Sequence, residues 1–167
     1  MNPPTTPSPS RARRVLRWTS RLALGLLALG VTLLLVAYTV SEHQAARHFD
    51  VPANRLLQAA FVSDEALVAA GERLATIRGC NDCHGADLGG RVMIDDPLLG
   101  RIVTANLTPA GATAAFTMAD WDRAIRHGVR PDGTGYLIMP SNEFHVLSDA
   151  DLTALVAYLR QVPPVRH

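Results

Sequence analysis

One long apolar run and three stretches of helical periodicity organise this chain of 167 residues. The apolar run covers residues 22–40 and contains no charged side chain. As a helix it would rise roughly 28 Å at about 1.5 Å per residue, close to the hydrocarbon thickness of a bilayer. Five arginines precede it, so the positive-inside rule places residues 1–21 in the cytoplasm and everything after residue 40 on the other side. The run therefore predicts a single transmembrane helix in the lipid bilayer.

A cleaved signal peptide is the alternative interpretation of this run. The apolar core of a signal usually covers only about 7–15 residues and ends at small residues. The run here is longer, and Tyr38 puts a bulky side chain where the end of an Ala-x-Ala cleavage site would lie. We therefore favour an uncleaved anchor, and both interpretations put the remainder of the chain outside the cytoplasm.

The sequence predicts a linker of mixed composition at residues 41–62 and a separate domain at residues 63–167. The first domain helix is expected to start with Ser63 as its N-cap, because acidic residues follow in the first turn. Its apolar stripe has helical spacing and consists of Leu67, Ala70, Leu74 and Ile77. Gly71 lies on the same stripe, where a missing side chain would let another helix cross closely.

Two further helices are signalled by capping patterns. Thr117-Met118-Ala119-Asp120 resembles a capping box, and Gly128 is expected to end that helix. Ser148-Asp149-Ala150-Asp151 opens the last helix, which stops before Pro163-Pro164. The apolar faces of the two helices are Trp121, Ala124 and Ile125, and Leu152, Leu155, Val156 and Leu159. Between residue 84 and Trp121 the chain is rich in Gly, Pro and Thr and sustains no period, which predicts a long loop.

The charge is distributed unevenly along the chain. All 16 basic residues are arginines, whereas the 15 acidic residues begin only at Glu42. From residue 41 onward the chain holds eleven arginines against fifteen acidic residues, a formal charge of −4. An acidic domain argues against nucleic acid as its partner.

The residues Cys80-Asn81-Asp82-Cys83-His84 form the Cys-x-x-Cys-His pattern of covalent haem c attachment. Two thiols three positions apart can each form a thioether to one vinyl group of a porphyrin, and the next histidine can bind the iron. A zinc site would need more ligands, a thioredoxin-like pair would need a βαβ context, and a structural disulfide would leave His84 unexplained. The pattern occurs once and predicts one haem c.

The sixth iron ligand has five candidates in the sequence, namely Met93, Met118, Met139, His127 and His145. Met139 is favoured, because it lies 55 residues after His84 in a loop and can reach the opposite face of the ring. The following Pro140 disfavours helical geometry at Met139 and helps to project the thioether. His145 is the second choice, since it also precedes the last helix. The predicted axial iron ligands are thus His84 and Met139.

Beyond the motif, the chain resembles the membrane-anchored class I c-type cytochromes of bacteria, especially the cytochrome c domains that accompany periplasmic dehydrogenases. The resemblance covers roughly residues 63–164. Its matching stretches are 71–75, 80–85, 106–109 (Asn-Leu-Thr-Pro), 121–129, 131–133, Met139-Pro140, 147–152 and 157–160. It implies the all-α class I cytochrome c fold with haem between the first and last helices of the domain. It also implies His84/Met139 ligation.

The same resemblance implies supporting roles near the haem. In this family a proline carbonyl often accepts the other ring proton of the ligand histidine, and Pro97 is the nearest candidate. Arg91, Arg101 and Trp121 are candidates to meet the haem propionates, and ordinary surface or core roles are the alternative for each.

The expected function is one-electron transfer rather than catalysis, by a haem domain on the periplasmic face of the bacterial inner membrane. The expected partners are a dehydrogenase or quinol-oxidising complex as donor and a terminal oxidase as acceptor. The alternative is a haem enzyme or gas sensor whose sixth coordination position is open.

Overall fold

The structure is a computed structural model that describes residues 11–52, 64–98 and 100–166. The chain divides into two compact units, Met1–Ala46 and Arg47–His167. The elements in chain order are α1 (Arg11–Ala45), α2 (Glu65–Ile77), α3 (Cys80–His84), β1 (Val92–Asp96), β2 (Gly100–Val103), α4 (Met118–His127), α5 (Ser141–Phe144) and α6 (Asp149–Leu159). A short 3-10 helix, Ala112–Ala115, precedes α4.

The helix α1 belongs to the first unit and continues beyond both ends of the 22–40 run. Arginine, leucine and alanine all favour helical backbone, so neither flank of the run interrupts the helix. Within the described ranges α1 is the one helix long and apolar enough to cross a membrane. That test uses length and composition alone, and a signal sequence near an N-terminus passes it too. Membrane anchoring therefore stays a prediction.

The second unit is built on the crossing of α2 and α6. Ala75 of α2 is fully buried, as are Leu152 and Val156 of α6. The predicted close approach at Gly71 is confirmed, because the residue is buried against the main chain of Ala154. The expected packing of the first domain helix on the last is thereby confirmed, and the domain is mostly helical.

The helix caps agree with the predicted ones at two of three starts. Thr117 and Ser148 both form full capping boxes, with Asp120 and Asp151 as the reciprocal partners. The prediction of Ser63 as the cap of α2 is wrong. Asp64 takes that role, since its carboxylate accepts a hydrogen bond from the Leu67 backbone N–H at 2.7 Å. Ser63 itself lies outside the described residues.

The loop after α3 contains a small antiparallel hairpin that the sequence did not predict. Strand β1 pairs with β2, with Val92 opposite Val103 and Asp96 opposite Gly100. The strands have five and four residues, too short for a period of two to stand out from the surrounding glycines and prolines. Among the described residues, neither strand contributes a residue to the hydrophobic core cluster, and Val92 and Val103 are both exposed.

A buried ion-pair network ties α4 to the start of α6. The Nη1 atom of Arg126 lies 3.0 Å from Oδ1 of Asp122 and 2.7 Å from Oδ1 of Asp149. The side chains of Arg126 and Asp122 are almost entirely buried. The network links the two helices, and removing Arg126 would leave the buried Asp122 carboxylate without this charge partner.

Candidate haem attachment site

The helix α3 is a single turn that presents the two cysteines. Glycines flank it on both sides, Gly79 with φ of 71° and Gly85 with φ of 87°, and both angles fall where side chains are disfavoured. The thiols of Cys80 and Cys83 are both free and half-buried. Residues three apart lie on the same face of a helix, so one porphyrin edge can meet both sulfur atoms.

Burial raises the pKa of the Cys80 thiol above its ordinary value. A hydrogen bond with its own backbone opposes the effect, while the neighbouring Cys83 and Asp82 add to it. The thiol is therefore protonated at neutral pH.

The imidazole of His84 is oriented by a backbone carbonyl. Its Nδ1 lies 2.7 Å from the oxygen of Ala105. A carbonyl oxygen only accepts, so Nδ1 carries the proton and Nε2 keeps its lone pair for a metal. Burial lowers the pKa of His84, with the Ala105 hydrogen bond acting in the opposite sense. The ring is thus neutral, as iron coordination requires.

The expected role of Pro97 is wrong, because Ala105 supplies the carbonyl that meets His84. Pro97 lies in the turn of the β1–β2 hairpin, whereas Ala105 follows β2 where the chain returns toward α3. A backbone acceptor has no residue-type signature. The only sequence signal for Ala105 was its position directly before the Asn-Leu-Thr-Pro stretch.

Gly90 packs closely against the backbone at Ala105 and also hydrogen-bonds to the backbone of α3. The Gly90 N–H donates to the carbonyl of His84 at 2.7 Å. A Cβ on Gly90 would lie 2.6 Å from the oxygen of Thr104 and 3.1 Å from the carbonyl carbon of Ala105. The φ of Gly90 is also 84°, so both space and backbone geometry require glycine here.

On the other side, an asparagine turn and the C-terminal tail fix the same segment. Asn106 Oδ1 accepts from the Thr108 N–H at 2.9 Å and from its hydroxyl at 2.7 Å. Asn106 Nδ2 donates to the carbonyl of Val165 at 2.7 Å, and the Val165 N–H donates to Thr108 Oγ1 at 3.1 Å. Residues 105–108 are therefore anchored to a part of the chain nearly sixty positions away.

Met139 lies in the loop between α4 and α5, with its side chain partly buried. It packs against the hydrophobic core cluster that Cys80 also contacts. The structure thus brings the Met139 loop and the attachment turn to one core. Pro140 follows with φ of −80° and ψ of 60° and precedes α5 as its N-cap.

The other candidates for the sixth ligand are placed differently. Met118 is buried in the core beside Trp121, and Met93 lies within strand β1. His127 is exposed in the last turn of α4. His145 is exposed as well, and its Nδ1 lies 2.6 Å from the carbonyl of Asn142.

The arrangement also offers an unsatisfied donor. The indole of Trp121 is 3% exposed, and its Nε1 has no hydrogen-bond partner within the described part of the chain. A buried N–H without a partner is costly, and a carboxylate such as a haem propionate would satisfy it. Arg101, by contrast, is exposed and lies 3.9 Å from Asp95. Free thiols, a neutral histidine with a lone pair and an orphaned donor together fit a bound haem c.

Comparison with known proteins places these features in a family. Residues 66–159 match the family described as cytochrome c oxidase, cbb3-type, subunit III. The alcohol dehydrogenase (quinone) cytochrome c subunit of Gluconobacter oxydans is 38% identical over 111 residues, 62% of this chain and 23% of that protein. The gluconate 2-dehydrogenase cytochrome c subunit of Pantoea cypripedii is 37% identical over 111 residues, 62% of this chain and 25% of that protein. The fructose dehydrogenase cytochrome subunit of Gluconobacter japonicus is 34% identical over 107 residues, 59% of this chain and 22% of that protein.

The match covers the helical domain from α2 through α6 and includes the attachment turn. The chain spans about a quarter of the length of these curated relatives. Their shared region is a cytochrome c domain, and the predicted resemblance to such domains of bacterial dehydrogenases is confirmed. This chain belongs to the family of cytochrome c oxidase, cbb3-type, subunit III, and its domain is a cytochrome c domain.

Proposed function

We propose that this protein is a one-electron carrier with a single haem c, attached through Cys80 and Cys83 and ligated axially by His84 and Met139. The observation that carries the proposal is the hydrogen bond from His84 Nδ1–H to the Ala105 carbonyl at 2.7 Å. It fixes the tautomer and the ring orientation with Nε2 available, directly after two free thiols on one helical turn.

Met139 is the best supported sixth ligand among the five candidates. It is partly buried against the core that contacts Cys80, and it follows an irregular loop rather than a helix. Met118 packs inside the core, and His127 and His145 are exposed at helix ends. A thioether from Met139 would complete the axial pair on the face opposite His84.

The chemistry of this ligand set favours electron transfer over catalysis. Haem c supplies a one-electron couple between ferrous and ferric iron. A neutral thioether favours the ferrous state and so raises the reduction potential compared with a second imidazole. His84 and Met139 would both hold the iron, and a substrate would then find no open position on it. The role of Trp121 is to donate its buried N–H to a propionate.

The cellular arrangement follows from α1. With residues 22–40 in the inner membrane and arginines on the cytoplasmic side, the haem domain lies in the periplasm. A tether raises the effective concentration of the domain near partners in the same membrane. The relatives in Gluconobacter oxydans and Pantoea cypripedii are cytochrome c subunits of dehydrogenases. We assign the donor to a periplasmic dehydrogenase or quinol-oxidising complex and the acceptor to a terminal oxidase.

Absorption spectroscopy of the full haem-loaded chain in detergent tests the proposal. The ferric protein should show the weak far-red sulfur-to-iron band, and the ferrous protein should not react with carbon monoxide. Rapid carbon monoxide binding together with a missing far-red band would instead support an enzyme or gas sensor with an open sixth position.

A further inference from the structure

A short segment that follows α1 in sequence is attached to the loop that bears Met139. The Phe49 N–H donates to the carbonyl of Gly133 at 2.8 Å, and His48 forms an antiparallel bridge with Thr134. The Arg47 guanidinium lies 5.6 Å from the centre of the Phe49 ring. We call residues 47–49 the clip, because they add an extended segment to the edge of this loop.

The glycines of the loop are matched to the clip side chains. A Cβ on Gly135 would lie 3.3 Å from Cε2 of Phe49, and a Cβ on Gly133 would lie 3.3 Å from Cδ2 of His48. Gly133 also has φ of 87°, whereas the φ of Gly135 lies outside the left-handed region. A methyl group at Gly135 would therefore crowd the Phe49 ring by a few tenths of an ångström, whereas the backbone φ at this position does not itself require glycine.

The loop that receives the clip is itself folded back on α4. Val129 forms a bridge with Gly135, and the Tyr136 N–H donates to the carbonyl of Gly128 at 2.7 Å. The Arg130 guanidinium hydrogen-bonds to the carbonyl of Gly135 and lies 4.5 Å from the centre of the Tyr136 ring. A shift of residues 133–135 would therefore also move Tyr136, which lies three residues before Met139.

An open cavity of about 240 Å³ joins the clip to the proposed iron ligand. Its wall contains Phe49, Tyr136 and Met139. The Phe49 side chain is 44% exposed, so its contact with the loop is partial and is open to modulation.

We propose that the clip is a positioning element for the Met139 ligand, with Phe49 as its central residue. This inference rests on the proposed His84/Met139 ligation. It assigns the positioning of Met139 to residues that lie outside helices α2 to α6. The clip lowers the free energy of the loop conformation in which the Met139 thioether faces the iron. Loss of the clip raises the fraction of molecules in which that position is open.

An external ligand such as imidazole must displace Met139 before it binds. Its apparent affinity therefore scales with the open fraction. In the full haem-loaded chain, Phe49→Ala should leave covalent haem unchanged, weaken the far-red band and tighten imidazole binding about tenfold. Phe49→Tyr keeps the aromatic ring, so its far-red band and its imidazole affinity should stay close to those of the wild type. Leu98→Ala is the matched control, because Leu98 is 96% exposed at the hairpin tip and should change neither.

A second variant distinguishes loss of the Phe49 contact from a general loss of folding in Phe49→Ala. Gly135→Ala should weaken the far-red band in the wild-type background, because its Cβ displaces the Phe49 ring. In the Phe49→Ala background the same change should have no further effect, since the ring is already absent.

The outcomes separate this inference from the proposal on which it rests. A wild-type protein without the far-red band would overturn the Met139 ligation and the clip together. A wild-type protein with the band, combined with Phe49→Ala and Gly135→Ala variants that match wild type in band and imidazole affinity, would overturn the clip alone.

Discussion

Gly71 of α2 and Ala154 of α6 meet main chain against main chain. A Cβ on Gly71 would lie 2.0 Å from the Ala154 oxygen and 2.8 Å from the Cβ of Tyr158. Neither neighbour can rotate away, since one is backbone and the other is the root of a side chain. The crossing of the two helices that frame the cytochrome domain therefore depends on this one missing side chain.

Gly71→Ala should destabilise the domain despite the gain in helix propensity of about 1 kcal/mol. Overpacking at a contact this short should outweigh that gain and cost about 3 kcal/mol net. Thermal unfolding of the full chain, followed by circular dichroism, measures the loss. Glu72→Ala is the control, because Glu72 is exposed on the same helix and its removal should change stability little. An unchanged unfolding temperature in Gly71→Ala would contradict the claim that the α2–α6 crossing depends on the missing side chain at Gly71.

Met139→Ala should leave the haem attached while removing its sixth ligand. The reduction potential should fall, the far-red band should disappear and the ferrous protein should bind carbon monoxide. Met93→Ala provides the comparison, since Met93 lies in strand β1 and its loss should preserve the band. A full far-red band in Met139→Ala would refute the assignment.

The double variant Cys80→Ala, Cys83→Ala should abolish covalent attachment, because no thiol remains in the chain. Haem staining of a denaturing gel tests this directly. Asp82→Ala changes an exposed residue within the same turn and should retain the stain. Stain that persists in the double variant would mean that attachment does not use these thiols.

Asp120→Asn should weaken the start of α4 and flatten the acid dependence of stability. Burial alone would raise the pKa of Asp120, but the hydrogen bonds from Thr117 and the Arg123 guanidinium together hold it below its ordinary value. A carboxyl whose folded pKa is depressed contributes stability above its unfolded pKa and loses it as pH falls through the folded pKa.

The variant should therefore lose about 1 kcal/mol at pH 7 and progressively less in acid, as measured by unfolding across pH. Asp95→Asn is the control, because its side chain is 69% exposed and its ion pair with Arg101 spans 3.9 Å. Equal pH dependence in wild type and Asp120→Asn would rule out this role for the capping box.

The sequence predicts the helical framework well where local chemistry and periodicity agree. Thr117 and Ser148 are each followed three residues later by an aspartate that completes a capping box. The starts of α4 and α6 can therefore be predicted from the sequence. The start of α2 is ambiguous, because Ser63 and Asp64 are both good caps and only the hydrogen bond to Leu67 distinguishes Asp64.

The parts that the sequence does not predict depend on backbone contacts between distant segments. The β1–β2 hairpin and α5 are too short to produce a period. Ala105 acts through its carbonyl, which every residue possesses, and the clip pairs with the 133–134 segment through its main chain. The predicted attachment and ligand residues stand out in the sequence because cysteine, histidine and methionine are rare in it, whereas the backbone groups that support them occur in every residue.

The hydrogen bonds between Val165 and the turn at Asn106 and Thr108 set an order of events during biosynthesis. The segment whose carbonyl orients the His84 imidazole is synthesised nearly sixty residues before Val165, so it reaches its final contacts only after Val165 has left the ribosome. A truncation before Val165 would therefore loosen the carbonyl that orients His84.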